Sequence, residues 1–331
     1  LTARGAHVTE IICTTEPDLP SLEAARAQGQ AADVGAVVSV GGGSVLDLGK
    51  ALAALVPSSD AILDHLEGVG AGKPLTRPPL PFVALPTTAG TGSEVTKNAV
   101  IAVPEAGRKV SLRDDRMLAD LAIIDPALMD DAPRAVTLAS GLDALVQVIE
   151  PYLCNKSNPL TDALCVTAIP AGLQALHRLA VAEDQNARDQ MAYVSLCGGL
   201  ALANAGLGAV HGLAGLVGGR LGAPHGLICG RLLAPVLAEN AAAMAAQGAG
   251  TARFDRVASW IGETFDLDPD TAFEALPEVL DQWDLPRLGT WLTPQSDLDG
   301  IAQEALSSSS MRANPCALTT DRLIRIMRSA A

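Results

Sequence analysis

The chain reads as an α/β N-terminal domain with a parallel sheet, followed by an all-α C-terminal domain. Short apolar strands alternate with helical stretches up to about residue 130, and from Arg134 onward the sequence shows only helical segments. Composition agrees. Hydrophobic residues make up 49% of 331 residues and aromatics only 3%, so the core must be built from Ala, Leu and Val, which suits closely packed helices. The expected domains are 1–131, lacking its first strand, and 132–331.

Each element has its own signal. Residues 6–15 read as a strand ending at the turn Glu16-Pro17, and 20–32 as a helix. Asp33–Val40 is a short continuous apolar strand of the kind buried on both faces of a parallel sheet. It runs into Gly41-Gly42-Gly43-Ser44 and a helix over Val45–Leu55. Pro81–Leu85 is a second buried strand, leading into PTTAGTGSE, and 95–103, 110–112 and 121–124 read as further strands. Helices are expected over 139–152, 160–181, 186–204, 227–246, 252–264, 270–282, 297–307 and 320–330. With no long linker, the two domains are expected to share an interface with a ligand cleft.

Charge and cysteine usage narrow the partners. A formal net charge of −14, with no offsetting basic run, excludes nucleic acid and anionic membrane surfaces. The six cysteines (Cys13, Cys154, Cys165, Cys197, Cys229, Cys316) form no CxxC pair, as expected of reduced thiols in a cytoplasmic protein. No apolar run reads as long and clean enough to span a bilayer, and no signal-type segment is found. A homodimer acting on a small molecule is expected. The chain opens on Leu1 rather than Met.

The candidate chemistry centres on residues 204–226, an almost uncharged stretch that holds His211 and His225. On one unbroken helix the two would stand about 21 Å apart, too far to share a ligand. Gly218, Gly219, Gly222 and Pro224 lie between them and are expected to end a helix, so the imidazoles can converge only across a chain break. Two readings stay open: hydrogen-bonded core histidines, or two ligands of a metal site built from separate elements. Asp143 and Gln147 stand four apart on one predicted helix face, and a lone Asp on an apolar face needs a partner or a cation. With the two histidines they make a plausible divalent-cation set. His7, His65 and His177 read as surface or structural.

Gly42, Gly43 and Ser44 sit between a strand and a helix, where a backbone without Cβ atoms lets an anion approach free N–H groups. A tight structural turn is the alternative. The hydroxyl-rich loop holding Thr87 and Thr88 is a second candidate for a pyrophosphate or ribose, since ligands gather at the carboxyl ends of parallel strands. Lys109 alone reads as a solvated charge.

Together, VGGGSVLDLGKALA (40–53), ALPTTAGTGSEVTKNAVI (84–101), LADLAIIDPALM (118–129), ASGLDALVQVIEP (139–151), GLGAVHG (206–212), APHG (223–226) and SSMRANP (309–315) resemble the iron-containing, or group III, alcohol dehydrogenase family, of dehydroquinate-synthase-like fold. The pieces occur in the family's order and cover nearly the whole chain. The resemblance implies hydride transfer between NAD or NADP and a small alcohol or aldehyde, at Fe²⁺ or Zn²⁺ in the interdomain cleft. Gly42, Gly43, Ser44, Asp47, Thr87, Thr88, Thr96, Asn98 and Lys109 would hold the cofactor. Asp143, His211 and His225 would be catalytic as metal ligands, with Gln147 beside them.

Two positions depart from the family pattern: Gln147 and Gly215 stand where most metal-bearing members have His. The first is expected to leave the metal site under-occupied, the second to send protons out by another route. The family's strand that discriminates NAD from NADP is expected to precede Leu1. Two alternatives stay open, a metal-free enzyme like the maleylacetate reductases and a silent dinucleotide-binding protein.

Overall fold

A computed structural model describes residues 2–331 and divides into two compact units. The first comprises the chain up to Thr87 together with Ser93–Asp125; the second comprises Thr88–Gly92 and Pro126–Ala331.

The first unit carries α1 (Leu19–Ala31), β1 (Val37–Gly41), α2 (Gly43–Leu55), the one-turn α3 (Ile62–His65), β2 (Phe82–Pro86), β3 (Asn98–Val103), β4 (Arg108–Arg113) and β5 (Leu121–Ala122). Asp18 starts α1 through a capping box with Ser21, its carboxylate accepting from the Ser21 N–H at 2.8 Å. The strands β1, β2 and β5 form a parallel sheet in that order, with Val37 opposite Phe82 and Gly41 opposite Pro86.

Three expectations need correction in this unit. Residues 6–15 form no strand; their backbone finds no neighbour to pair with, and Val8 and Ile12 are exposed. The strands β3 and β4 are not part of the parallel sheet but an antiparallel hairpin, Asn98 opposite Arg113, because they are joined by a short turn closed by Gly107 at φ +60°. Finally, β1 is covered on one face only: Ser39 is buried against Gly49 of α2, whereas Val38 and Val40 are about half exposed (46% and 56%). Its apolar run was a poor guide, because an apolar residue is not always an inside one. The core of this unit lies instead between α1, α2 and the hairpin, through Leu22, Leu52, Leu55, Ile101 and Leu112.

A buried ammonium ties α2 to the segment after the second loop. Lys50 is 1% exposed, and its Nζ donates to Ser93 O (2.6 Å), Ser93 Oγ (2.9 Å), Thr96 Oγ1 (2.9 Å) and Asn98 O (2.8 Å). One turn back, Asp47 accepts from the Ser93 hydroxyl at 2.5 Å and the Val100 N–H at 2.9 Å. Burial pushes Lys50 down to about 8 against the pull of Asp47 and Glu94, while burial raises Asp47 against the pull of Lys50.

The second unit is helical: α4 (Arg134–Leu153), α5 (Pro159–Val181), α6 (Gln185–Asn204), α7 (Ala209–Leu221), α8 (His225–Ala246), α9 (Ala252–Phe265), α10 (Ala272–Asp281), α11 (Leu298–Ala305) and α12 (Thr320–Ala330). The expected helices all occur, with α4 beginning five residues early, at Arg134 rather than 139. An unexpected one, α7, fills the stretch taken for a break. Gly218 and Gly219 lie inside it, and the stop comes at Gly222, in the left-handed region at φ +71°, followed by Pro224 as the N-cap of α8. By length and composition α5 and α8 are each apolar enough to cross a membrane, which corrects the expectation that no such run exists. Their apolar residues, Ile169, Leu173, Leu176, Ile228, Leu232 and Leu233 among them, belong to the core of the helical unit.

Replacing Lys50 by Met is expected to leave Asp47 buried without its counter-charge and to remove the Nζ hydrogen bonds to Ser93, Thr96 and Asn98. The cost should be on the order of 3–5 kcal/mol. Hydrogen exchange checks it: protection should fall in α2 and β3 while α4–α8 stay protected, and unchanged protection in α2 would contradict the role given to the ammonium.

Candidate functional site

In the first unit, α2 opens directly after β1. Gly42 is its N-cap with extended backbone (φ −74°, ψ −173°) and makes no side-chain cap, so the Gly43 and Ser44 N–H groups at the helix start have no intrahelical acceptor. Glycine is required just before this: a Cβ on Gly41 would lie 2.5 Å from Val45. The Thr87 N–H donates to Gly41 O at 3.0 Å, which brings the end of β2 beside the glycine turn. The other expected cofactor residues in this unit have partners within it. Asp47, Thr96 and the Asn98 carbonyl belong to the Lys50 network, and Lys109, on β4, pairs with Glu16.

Thr88 belongs to the helical unit, in a loop that glycines hold against helices. A Cβ on Gly90 would meet Ser140 of α4 at 2.9 Å, and one on Gly92 would meet Gly199 of α6 at 2.6 Å.

The expected metal residues converge in the second unit, on three helices. Asp143, Gln147 and Glu150 stand at i, i+4 and i+7 along α4 and are 3%, 3% and 5% exposed. His211 lies in the first turn of α7, and His225 is the first residue of α8. His211 Nε2 is 3.2 Å from Asp143 Oδ1, His225 Nε2 is 3.8 Å from the same oxygen, and the two rings are 5.6 Å apart between centroids. The fourteen-residue separation is closed because α7 ends at Gly222 and the chain turns back into α8.

Sequence reasoning missed two members of this group. Cys229, four residues after His225 on α8, points into it: Sγ is 3.6 Å from His225 Nε2 and 3.9 Å from His211 Nε2. One ligand atom from each of Asp143, His211, His225 and Cys229 lies within 4.8 Å of all the others. The second is Glu150. Its carboxylate accepts from the His211 Nδ1–H at 2.7 Å, the Val210 N–H at 2.7 Å and the His211 N–H at 3.4 Å. It therefore caps α7 and fixes the His211 tautomer, leaving Nε2 to face Asp143. Both had a signal, Cys229 in its i+4 spacing from His225 and Glu150 in its i+7 spacing from Asp143. Asn314, from the SSMRANP stretch, also steadies α7, accepting from the Ala209 N–H at 3.0 Å while paired with Asn240.

The electrostatics are those of a buried acid–imidazole cluster. Burial opposes ionisation of Asp143, but hydrogen bonding from His211 and the charges of both imidazoles outweigh it and hold the carboxyl below its ordinary range. Burial would likewise depress His211, yet Cys229, Asp143 and Glu150 lift it well above its usual value. Cys229 does most to raise His225, against burial, to about 9. Gln147 donates from Nε2 to Gly90 O at 3.1 Å, and its buried Oε1 has no hydrogen-bond partner among the described residues. A buried carboxylate, two imidazoles and a thiol around one point form a donor set that fits a divalent cation.

The chain has the dehydroquinate-synthase-like fold of its structural neighbours. Within it, the chain belongs to the iron-containing alcohol dehydrogenase family: residues 1–126 match the family's iron-containing alcohol dehydrogenase description and 137–331 that of its C-terminal part. It is an oxidoreductase acting on alcohols. The probable alcohol dehydrogenase EutG of Escherichia coli (strain K12) is 33% identical over 333 residues, spanning 100% of this chain and 82% of the relative. The 1,3-propanediol dehydrogenase of Klebsiella pneumoniae is 33% identical over 301 residues, 89% of this chain and 75% of the relative. Among solved structures, a 1,3-propanediol oxidoreductase superposes with a TM-score of 0.85 at 30% identity, over 96% of this chain and 82% of that one. The sulfoacetaldehyde reductase of Bifidobacterium kashiwanohense, solved with NAD⁺, gives 0.81 at 26% identity, over 96% and 81%.

The site depends on α8 lying close against α4, which Gly226 permits. A Cβ at Gly226 would stand 2.0 Å from the Ala139 carbonyl oxygen, whereas one at Gly215, on the exposed side of α7, meets nothing within 4 Å. Gly226→Ala is expected to push His225 and Cys229 away from Asp143, costing on the order of 1–3 kcal/mol and weakening divalent-cation binding at least 10-fold. Gly215→Ala should leave binding unchanged and stabilise the helix by up to about 1 kcal/mol. Calorimetric titration with Zn²⁺ compares the two; equal effects would refute the close-approach argument.

Proposed function

We propose that this alcohol dehydrogenase transfers hydride between NAD or NADP and a small alcohol or aldehyde, with a divalent cation, Fe²⁺ or Zn²⁺, held by Asp143, His211 and His225. The observation that carries the proposal is the convergence of those three side chains, from three helices, on one buried point.

The chain's own residues do the preparatory work. Glu150 holds a proton on His211 Nδ1, which leaves Nε2 as the ring nitrogen that would give up its proton to bind a cation. Gln147, one turn along α4 from Asp143, is held by its bond to Gly90 O. A bound cation supplies Lewis acidity, which lowers the pKa of a coordinated hydroxyl and stabilises charge on its oxygen. The Gly42, Gly43 and Ser44 backbone at the positive end of α2 would hold phosphate oxygens of the dinucleotide, with Thr87 beside it and Thr88 contributing from its own loop. Asp47, Thr96, Asn98 and Lys109 complete the proposed cofactor set. A cytoplasmic location is part of the proposal, supported by six cysteines free of disulfides, and so is a homodimer.

Two measurements test it. Chelated protein should lose turnover of a panel of small alcohols and aldehydes with NAD(H) or NADP(H) and recover it on adding Zn²⁺, Fe²⁺ or Mn²⁺. Full activity after chelation, unmoved by added metal, would put the metal-free alternative in its place. Gly42→Val should weaken NADH or NADPH binding by 10-fold or more in calorimetric titration, because a branched side chain would crowd the anion's approach. Unchanged affinity in the folded variant would make the turn purely structural.

A further inference from the structure

We infer that Cys229 is a fourth protein ligand of the cation, making the set one carboxylate, two imidazoles and one thiolate. This rests on the proposed reading that a cation binds Asp143, His211 and His225, and deepens it by naming the softer donor.

The geometry is that of a tetrahedral edge pattern. With metal–sulfur near 2.3 Å and metal–nitrogen near 2.0 Å, a tetrahedron places sulfur about 3.5 Å from each nitrogen, and nitrogen about 3.3 Å from oxygen. Cys229 Sγ lies 3.6 Å from His225 Nε2 and 3.9 Å from His211 Nε2, while Asp143 Oδ1 lies 3.2 Å and 3.8 Å from the two imidazole nitrogens. These four separations lie near the tetrahedral edges, and all the donor atoms are within 4.8 Å of one another, a shell more open than a closed metal site. The thiol packs in the apolar core of the helical unit, yet its sulfur lies at the edge where that core meets the two imidazoles. Cys229 is fully buried and presents its sulfur to the same two nitrogens that face the carboxylate.

Helix geometry supplies the pairing. His225 and Cys229 are four apart on α8, so they share one face, as Asp143 and Gln147 share one on α4. Close passage of α8 over α4 at Gly226 and Gly230 sets those faces against each other; a Cβ at Gly230 would meet Leu142 at 2.5 Å. Gln147 commits its amide nitrogen to Gly90 O, on the loop 88–92, at 3.1 Å. Its orphaned Oε1 is the competing fourth donor.

A thiolate shifts selectivity. It favours Zn²⁺ and its spectroscopic stand-in Co²⁺ over hard cations such as Mn²⁺ or Mg²⁺. A substrate oxygen would then join as a fifth donor, an expansion that catalytic zinc sites make.

The experiment is an anaerobic titration of the chelated full-length protein with Co²⁺, followed by near-ultraviolet absorption. A thiolate-to-cobalt charge-transfer band should rise to saturation at one Co²⁺ per chain. Cys229→Ser should abolish the band and weaken Co²⁺ and Zn²⁺ binding 10- to 100-fold or more, whereas Gln147→Ala should keep it. The wild-type band needs no variant to fold. Stoichiometric Co²⁺ binding with no such band, or a band that survives Cys229→Ser, overturns the Cys229 assignment while leaving the three-ligand site standing. Failure of the wild type to bind Co²⁺ or Zn²⁺ at all overturns both.

Discussion

Glu150 is the interaction on which the site depends. A carboxylate on a buried helix is tolerated only when its oxygens are satisfied, and here they are satisfied by the start of α7 and by the imidazole that α7 carries. One buried charge therefore does three things: it ends the approach to α7, it sets the direction of that helix, and it selects the nitrogen that His211 turns toward Asp143. Asn314 and Asn240 support the same helix start from the other side, so the N–H groups of α7 that an ordinary helix leaves to water are taken up by buried side chains.

Small residues make the arrangement affordable in space. Gly226 and Gly230 let α8 lie against α4, Gly208 leaves room for the Glu150 carboxylate, which a Cβ there would meet at 2.7 Å, and Gly90 and Gly92 let the loop 88–92 lie on α4 and α6. The low aromatic content is the same property seen at the level of composition, because an Ala- and Gly-rich helical core allows short interaxial distances. Dense packing buries Asp143 and Cys229 fully, which strengthens the charge interactions on their side of the cluster, while the His225 side chain stays 37% exposed.

The first unit uses a different device. Its parallel sheet is small, and its order comes from a buried lysine that collects acceptors from the segment Ser93–Asn98. This leaves the backbone at the start of α2 unencumbered by side chains, beside the Thr87 end of β2. The charge that stabilises the unit and the backbone that is free to meet an anion are thus kept on different turns of the same helix.

Much of this was legible in the order of residues. Local signals are strong for helices with caps and long apolar stripes, so the helical unit could be written down nearly element by element. The motif residues Asp143, His211 and His225 could be named because their chemistry is unusual in apolar surroundings. What the order of residues could not carry were facts about neighbours. The hairpin β3–β4 and the half-exposed β1 depend on which element lies alongside, and the missing strand at 6–15 on one that does not. The helix α7 was hidden because Gly218 and Gly219 argue locally against a helix that tertiary packing sustains. Cys229 was read as one scattered thiol of six, since a thiol acquires meaning only from what its sulfur faces. Local propensity and residue chemistry act over a few residues and were determined by the sequence alone. The convergence of α4, α7 and α8 on one point was decided by tertiary packing, because only close helix contact at Gly226 brings donors so distant along the chain within reach of one another.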